Sequence, residues 1–419
     1  MAESSGRRGT LQTLAGTDRR VLALAFARMA DALGNSFLIV VLPTYIANIV
    51  GEGMGVFATP LGTELLIGVV LSLFGLLNSV LQPLTGRLSD RTGRRRAFIL
   101  TGLVVLGVGS GAYPFVDSYP AVMFLRALQG VGAALTIPAT VALVNELATT
   151  ADRGGNFGVF NTFRLVGFGF GPIVAGAVQQ AYGVNAAFAV AVAGAAVSFG
   201  MVVVLVEDPE RTEATAAENL SVSVRGDGRL LDPVFALGVA TVCMALTIAL
   251  FAALKAPINE RLGQGDFLFG VQFAAAVIGN VVFQLPVGNA ADAYGRRPFI
   301  VGGFVVLVPS VLAQGLVGSS LAMVGARLLQ GVAVAMVFAP SLAVAGDLAG
   351  EGQSGSTLSV LTMGFGLGVA AGPTAAGLLF EFGFAVPFLF GGGVAVLGLA
   401  LVYTQVVETL DAPASVPAD

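Results

Sequence analysis

Long runs of apolar residues alternate with short polar stretches along the whole chain. Each run is long enough to cross a bilayer as a helix, because a membrane span needs about 20 apolar residues. The pattern predicts twelve spans, six before residue 207 and six after residue 232. Their approximate bounds are 20–47, 65–86, 97–116, 120–147, 155–179, 186–206, 233–255, 267–289, 299–317, 320–348, 356–380 and 385–407.

The polar stretches divide the chain into five predicted parts. These are a cytoplasmic N-terminal tail (1–17), an N-terminal six-helix bundle (18–206), a cytoplasmic linker (207–232), a C-terminal six-helix bundle (233–407) and a cytoplasmic tail (408–419).

Composition supports the membrane assignment. Of the 419 residues, 56% are hydrophobic and 11% are charged, whereas an ordinary soluble domain carries about 25% charged residues. The mean hydropathy is +0.87. The 57 glycines suit the close approach of helices in lipid. We therefore predict an all-α membrane protein and exclude a soluble globular or a disordered chain.

Basic residues are distributed unevenly between the two sides of the predicted bundle. With the N-terminus in the cytoplasm, fifteen of the 21 basic residues lie in cytoplasmic segments, and only Lys255 and Arg261 lie in opposite loops. The positive-inside rule then predicts that both termini are cytoplasmic. We expect a multi-pass protein of the plasma membrane.

The chain contains no histidine and one cysteine, Cys243. This excludes an intrachain disulfide and a zinc site built from histidine and cysteine ligands, and it removes the usual general base of enzymes. We expect no metal, no cofactor, no nucleic-acid partner and no enzymatic activity. A membrane-embedded hydrolase or transferase and a non-transporting sensor are minor alternatives.

Three groups of residues recur in the same order at a spacing of 201 or 202 residues. Gly86, Asp90, Gly93, Arg94 and Arg95 recur as Gly288, Asp292, Gly295, Arg296 and Arg297. Arg126 and Gln129 recur as Arg327 and Gln330, and Gly167, Gly171 and Pro172 recur as Gly368, Gly372 and Pro373. The repeat indicates two parallel-related six-helix bundles.

The element from Gly86 to Arg95 resembles the signature loop of the major facilitator superfamily, and the resemblance covers about residues 18–407. It implies a monomeric transporter with alternating access to a midplane site for a small molecule.

The element from Gly167 to Pro172 resembles the antiporter motif of the superfamily's drug/proton exporters, and Arg126 with Gln129 resembles their second motif. This implies proton-coupled efflux of a small amphipathic or drug-like molecule. The alternative is a symporter or uniporter of a small organic anion.

Asp31 is the only acid deep inside a predicted span. It lies about 16 Å from the start of the span, where a carboxylate is costly and indicates function. We interpret Asp31 as the proton carrier and expect Arg28 and Arg126 to tune its proton affinity. The alternative is a permanent structural ion pair with either arginine.

Other polar residues inside the spans are candidates to line a substrate cavity. They are Asn35, Asn78, Gln82, Arg164, Asn280, Gln284 and Arg327. Within the spans arginines outnumber acids, which suits an anionic substrate. Alternatively, the amides join helices, and the arginines extend towards the interface or bind backbone carbonyls.

Charged residues at the cytoplasmic helix ends are predicted to form a gate. Asp90 and Arg94 are four residues apart, so they can pair on one helix face. A pair that breaks between conformations forms a gate, whereas a permanent pair only anchors the topology. The candidates are Gly86, Asp90, Gly93, Arg94, Arg95, Glu146, Arg153, Asp292, Arg296 and Arg297.

The glycine–proline elements are predicted to pack and kink helices. Their members are Gly167, Gly171, Pro172, Gly368, Gly372 and Pro373. Because both halves carry the element, a general packing role is the alternative to a specific antiporter role.

Overall fold

The computed structural model describes residues 19–51, 62–147, 153–207, 224–225, 230–349 and 354–410. Within these ranges the chain forms twelve α-helices, one 3-10 helix (Tyr113–Phe115) and no strand. The first five helices are α1 (Arg19–Gly51), α2 (Thr63–Thr92), α3 (Arg95–Ala112), α4 (Tyr119–Leu147) and α5 (Arg153–Leu205). The other seven are α6 (Pro233–Ala253), α7 (Lys255–Leu262), α8 (Asp266–Tyr294), α9 (Arg296–Leu316), α10 (Ser320–Asp347), α11 (Ser354–Phe380) and α12 (Val386–Gln405).

Eleven of the described helices are long and apolar enough to cross a membrane, and α5 is long enough for two spans. Its 53 residues extend about 80 Å at 1.5 Å per residue, roughly twice a bilayer. Gly183 interrupts α5 with φ 82° and ψ 177°, a conformation that glycine adopts without steric cost. The predicted all-α membrane protein is confirmed, but a single glycine replaces the expected loop between residues 179 and 186.

Two helices continue past their predicted ends. α2 reaches Thr92 and α8 reaches Tyr294, so Asp90 and Asp292 are helical residues and not loop residues. A hydropathy pattern stops at the first charges, whereas backbone hydrogen bonding continues until a residue leaves the helical conformation. Gly93 (φ 64°) and Gly295 (φ 107°) mark these points.

The described residues fall into two compact units, one from each half of the sequence, except that residues 62–76 of α2 group with the second unit. In the first unit α1 packs against α5, and α3 packs against α4 and α5. In the second unit α6 packs against α11, and α9 packs against α10 and α12. Corresponding helices therefore make corresponding contacts, as the sequence repeat requires.

Each unit has an apolar cluster of its own. In the first unit Leu24, Ile99 and Val202 belong to a cluster that joins α1, α3, α4 and the end of α5. In the second unit Phe304 and Val402 belong to the corresponding cluster around α9. The predicted N-terminal tail lies outside the described residues, as do most of the linker and the C-terminal tail.

Candidate functional site

Asp31 and Arg28 form an ion pair inside the first unit. They lie one turn apart on α1, and the Arg28 guanidinium donates a hydrogen bond to the Asp31 carboxylate. Their side chains are only 8% and 11% exposed, respectively. The acid and base predicted from the sequence are therefore in direct contact.

The glycines of the first antiporter-like element bring α5 against α1 at the level of Asp31. A methyl group on Gly167 would lie 2.1 Å from the carbonyl oxygen of Met29, and one on Gly171 would lie 2.7 Å from that of Leu33. Both distances are too short for a real contact. Only a residue without a side chain allows this approach, which brackets Asp31 on both sides.

A small cavity lies beside the Asp31–Arg28 pair. Its volume is about 10 Å³, and its polar lining consists of Arg28, Asp31, Thr136 and Thr140. Thr136 and Thr140 donate to carbonyls of their own helix at 3.0 and 2.6 Å, which leaves their oxygens able to accept. The space and the polar partners fit one water molecule.

Arg126 belongs to a different buried network in the first unit. Its guanidinium donates to the side-chain oxygen of Gln129 at 3.1 Å, and the Tyr113 hydroxyl donates to the same oxygen at 3.0 Å. The Gln129 amide in turn donates to Ser110 at 3.0 Å. Of the two arginines predicted to act on Asp31, Arg28 therefore binds its carboxylate, whereas Arg126 donates to Gln129.

Arg327 repeats this arrangement in the second unit. It is fully buried and donates to the side chain of Gln330, three residues along α10, at 2.5 Å. It also donates to the Gln272 carbonyl at 3.3 Å and lies 4.2 Å from the centre of the Phe251 ring. Its Nη2 atom has no hydrogen-bond partner among the described residues.

The remaining cavity candidates occupy separate positions. Asn78 accepts a hydrogen bond from Gln82 at 2.9 Å within α2. Arg164 donates twice to Asn161 on α5, at 3.0 and 2.9 Å. Asn35 has a buried side-chain oxygen with no partner among the described residues. Asn280 and Gln284 are half-buried one turn apart on α8.

The predicted partner of Asp90 is corrected by the structure. Asp90 pairs with Arg95 at 3.2 Å, and Arg94 is exposed. The left-handed turn at Gly93 separates Arg94 from the face of α2, and Arg95 begins α3 with its side chain buried. The side chains of Glu146 and Arg153 lie outside the described residues.

The second signature element contains an ion pair with the four-residue spacing that the sequence predicted for the first element, and an additional acid. Arg296 lies 2.8 Å from Asp292 and also pairs with Asp347 at the end of α10. Asp347 lies 201 residues after Glu146, so the repeat spacing was the signal that could have identified it. Near the same turn, Arg297 donates to the Tyr403 carbonyl at 2.6 Å.

Glu408 holds the segment after α12 against the start of α9. Its carboxylate accepts the backbone N–H groups of Arg296 at 3.1 Å and Arg297 at 2.9 Å. Partial burial acts to raise the pKa of Glu408, but backbone hydrogen bonds outweigh it and lower the pKa below its ordinary value. The sequence pattern gave no signal for this residue.

The second glycine–proline element makes the same kind of contact as the first. A methyl group on Gly368 would lie 2.4 Å from the Val242 carbonyl oxygen, and one on Gly372 would lie 2.6 Å from the Ala249 side chain. Among the described residues no three metal-ligating side chains come together. The candidate site residues make ion pairs and hydrogen bonds, and Asp31 is a carboxylate within them.

Comparison with known proteins agrees with this architecture. A family model described as Major Facilitator Superfamily matches residues 24–253 and 235–417. An uncharacterized MFS-type transporter of Mycobacterium tuberculosis is 25% identical over 363 residues, which cover 82% of this chain and 85% of that protein. Quinolone resistance protein NorA of Staphylococcus aureus is 23% identical over 403 residues, 93% of this chain and 97% of NorA.

A solved structure gives the same fold. The human organic anion transporter MFSD10 superimposes with a TM-score of 0.66 at 19% identity, over 92% of this chain and 100% of that one. The matched family model, the apolar helices and the transporter relatives lead to one conclusion: the chain belongs to the major facilitator superfamily and is a multi-pass membrane transporter.

Proposed function

We propose that the protein exports a small amphipathic or drug-like molecule in exchange for protons. The observation that carries the proposal is the buried Asp31–Arg28 pair beside a cavity for one water. A carboxylate at this depth is energetically costly, and its presence therefore indicates a function. The similarity to NorA, whose name denotes quinolone resistance, supports drug efflux as the activity.

In the proposed cycle Asp31 takes a proton from the outer side and releases it to the cytoplasm. Protonation removes the negative charge that holds Arg28, so the pair separates when the proton is bound. Water in the adjacent cavity relays the proton to and from the carboxylate. Arg126 acts indirectly, by fixing the helices through Gln129.

Alternating access is proposed to move two halves, 18–206 and 233–407, around a substrate cavity. The residues proposed to line this cavity are Asn35, Asn78, Gln82, Arg164, Asn280, Gln284 and Arg327. Substrate and proton compete for this cavity, which couples their movements. We place both termini in the cytoplasm and the protein in the plasma membrane as a monomer.

The cytoplasmic gate is proposed to use both signature elements. Asp90 with Arg95, and Asp292 with Arg296, hold the ends of adjacent helices in each unit. Glu146 and Arg153 are proposed to extend the first element as Asp347 extends the second. The carboxylates of both pairs are partly exposed, and ion pairs near the surface are weak, so such a gate opens at low energetic cost.

Transport of a small organic anion is the second candidate. It is favoured by Arg327, which is fully buried and has no carboxylate ion pair among the described residues. A buried cation without a counterion attracts an anion. In this case the protein is a symporter or uniporter.

Proton release from the purified protein tests the first proposal. We expect norfloxacin, a quinolone, to release protons from the wild type in weakly buffered detergent and to release none from Asp31→Asn. The control, Asp117→Asn, makes the same change at an exposed loop residue and should behave as the wild type. Norfloxacin binding without proton release by the wild type would contradict proton exchange, and binding of benzoate alone would favour the anion transporter.

A further inference from the structure

Lys255, the only lysine of the chain, is buried at the beginning of α7. Its ammonium lies 3.0 Å from the carboxylate of Asp266, and the two side chains are 2% and 22% exposed. Gly263, which ends α7 with φ 58°, returns the chain so that α8 begins beside Lys255. This ion pair and the Arg296 turn lie at opposite ends of α8, about 40 Å apart.

Within the second unit, three side-chain amides form a series of hydrogen bonds that begins at this ion pair. Asn259 donates to the Asp266 carboxylate at 3.0 Å, and Gln264 donates to Asn259 at 3.0 Å. Gln264 and Gln272 then bind each other in both directions, at 3.0 and 2.7 Å. Gln272 lies six residues into α8 and is fully buried.

The series ends at Arg327. The backbone carbonyl of Gln272 accepts a hydrogen bond from Arg327 at 3.3 Å. The side-chain amide of Gln272 also donates to the carbonyl of Ser320, the first residue of α10, at 3.5 Å. The hydrogen bonds therefore run from the ion pair to the side chain of Gln272, and the backbone carbonyl of the same residue binds the buried arginine two turns into α10.

The direction of each amide bond depends on the charges at the end of the series. Asp266 accepts from both Lys255 and Asn259, which fixes the donor end of Asn259 and leaves its oxygen to accept from Gln264. Loss of the lysine proton removes the cation that orients the carboxylate. Asp266 still accepts from Asn259, but the attraction that holds α7 against the start of α8 is lost, so the support of Gln264 for Gln272, and of Gln272 for Arg327, weakens.

We propose that the Lys255–Asp266 pair is a second proton-binding site, separate from Asp31, which controls the position of Arg327 through these amides. The proposal rests on the proposed function of a proton-coupled transporter. The proton leaves the Lys255 amine for water and returns from water, and no other bond is made or broken.

The titration of Lys255 falls in the range that such a site needs. Burial lowers the pKa of Lys255 to about 8, and the attraction of Asp266 opposes this decrease. The charged groups to consider are Asp266 at the start of α8, Glu260 and Arg261 on α7, and Arg327 on α10. The pair is intact below pH 8 and is lost as the pH rises through that value.

Equilibrium exchange of norfloxacin at equal pH on both sides of proteoliposomes tests the site without a proton gradient. We expect wild-type exchange to fall about tenfold from pH 7 to pH 9, as one group with a pKa near 8 requires. Lys255→Arg keeps the ion pair but does not titrate below pH 12, so its exchange should change less than twofold. Arg261→Gln, the control on the same helix, should follow the wild type.

A flat wild-type profile, or the wild-type decrease in Lys255→Arg, would overturn the proposal. Failure of the proposed function has a different signature, because exchange would then proceed but a proton gradient would not drive uphill transport.

Amine labelling tests the connection even if norfloxacin is not transported. With one lysine in the chain, acetic anhydride modifies Lys255 and the N-terminus, and mass spectrometry separates the two products. We expect Gln272→Leu, which breaks the series, to raise the labelling rate of Lys255 at pH 8 roughly threefold or more. Arg261→Gln should leave the rate unchanged, and an unchanged rate in Gln272→Leu would overturn the connection.

Discussion

Arg28, whose side chain is 11% exposed, and Arg327, which is fully buried, have different partners. Arg28 lies one turn from Asp31, whose carboxylate neutralises it. Arg327 has a glutamine, backbone carbonyls and an aromatic ring as its partners. The first unit therefore contains an arginine with a carboxylate partner, whereas Arg327 and its repeat counterpart Arg126 both donate to a glutamine three residues along their helix.

Removal of the Asp31 carboxylate is expected to have the largest effect on stability, because Arg28 then loses its ion-pair partner. Asp31→Asn leaves a buried cation without its counterion, at a cost of roughly 3 kcal/mol in the free energy of unfolding. Unfolding in mixed detergents, followed by circular dichroism, measures this. The double variant Arg28→Gln/Asp31→Asn should regain at least half of the loss, and equal stability of the single and double variants would refute the pairing argument.

Alanine in place of a crossing glycine is expected to lower the free energy of unfolding by a similar amount in both units. Gly167→Ala and Gly368→Ala each place a methyl group against a backbone carbonyl oxygen, so each should lower the free energy of unfolding by about 2 kcal/mol. The control is Gly200→Ala, because no atom lies within 4 Å of the added methyl group. Sensitivity of only one crossing would show that the repeat does not extend to packing.

Replacement of the glutamine is expected to lower the free energy of unfolding by different amounts in the two arginine–glutamine pairs. Gln129→Leu and Gln330→Leu each remove an acceptor from a buried arginine, which costs about 1–3 kcal/mol. Both glutamines also accept from a second side chain and donate to one further oxygen. We expect the larger loss for Gln330→Leu, since its bond from Arg327 is 2.5 Å long and the bond from Arg126 to Gln129 is 3.1 Å long. Thermal unfolding of the two variants side by side provides the measurement, and a larger loss for Gln129→Leu would reverse the ranking.

The first signature turn offers a comparison between neighbouring arginines. Arg95→Gln should destabilise the protein by about 1 kcal/mol, because Arg95 is buried and pairs with Asp90. Arg94→Gln should have almost no effect on stability, because Arg94 is exposed. The same unfolding assay measures both, and the opposite order would restore the pairing predicted from the four-residue spacing.

The smallest expected effect concerns Glu408 at the second turn. Its lowered pKa means that its stabilising contribution is complete above pH 4.5 and is lost as the pH falls through the lower value. Glu408→Gln should therefore narrow the difference in melting temperature between pH 6 and pH 4. An unchanged difference would show that the carboxylate does not hold the start of α9.

The sequence was sufficient for the helices because membrane spans depend on the length and apolarity of a run. The repeat also identified which helices correspond. It did not identify contacts that depend on the direction of the chain after a glycine. The four-residue spacing predicted Arg94 as the partner of Asp90, whereas the partner in the structure is Arg95. Nor did the repeat find Asp266 as the partner of Lys255, because the turn at Gly263 that brings them together leaves no signal in the residue spacing.

The glycine break in α5 has a mechanical consequence. The two spans on either side of Gly183 share one helix with a single non-helical residue, so no loop separates their motions. The φ and ψ angles of this one residue therefore set the angle between the two spans.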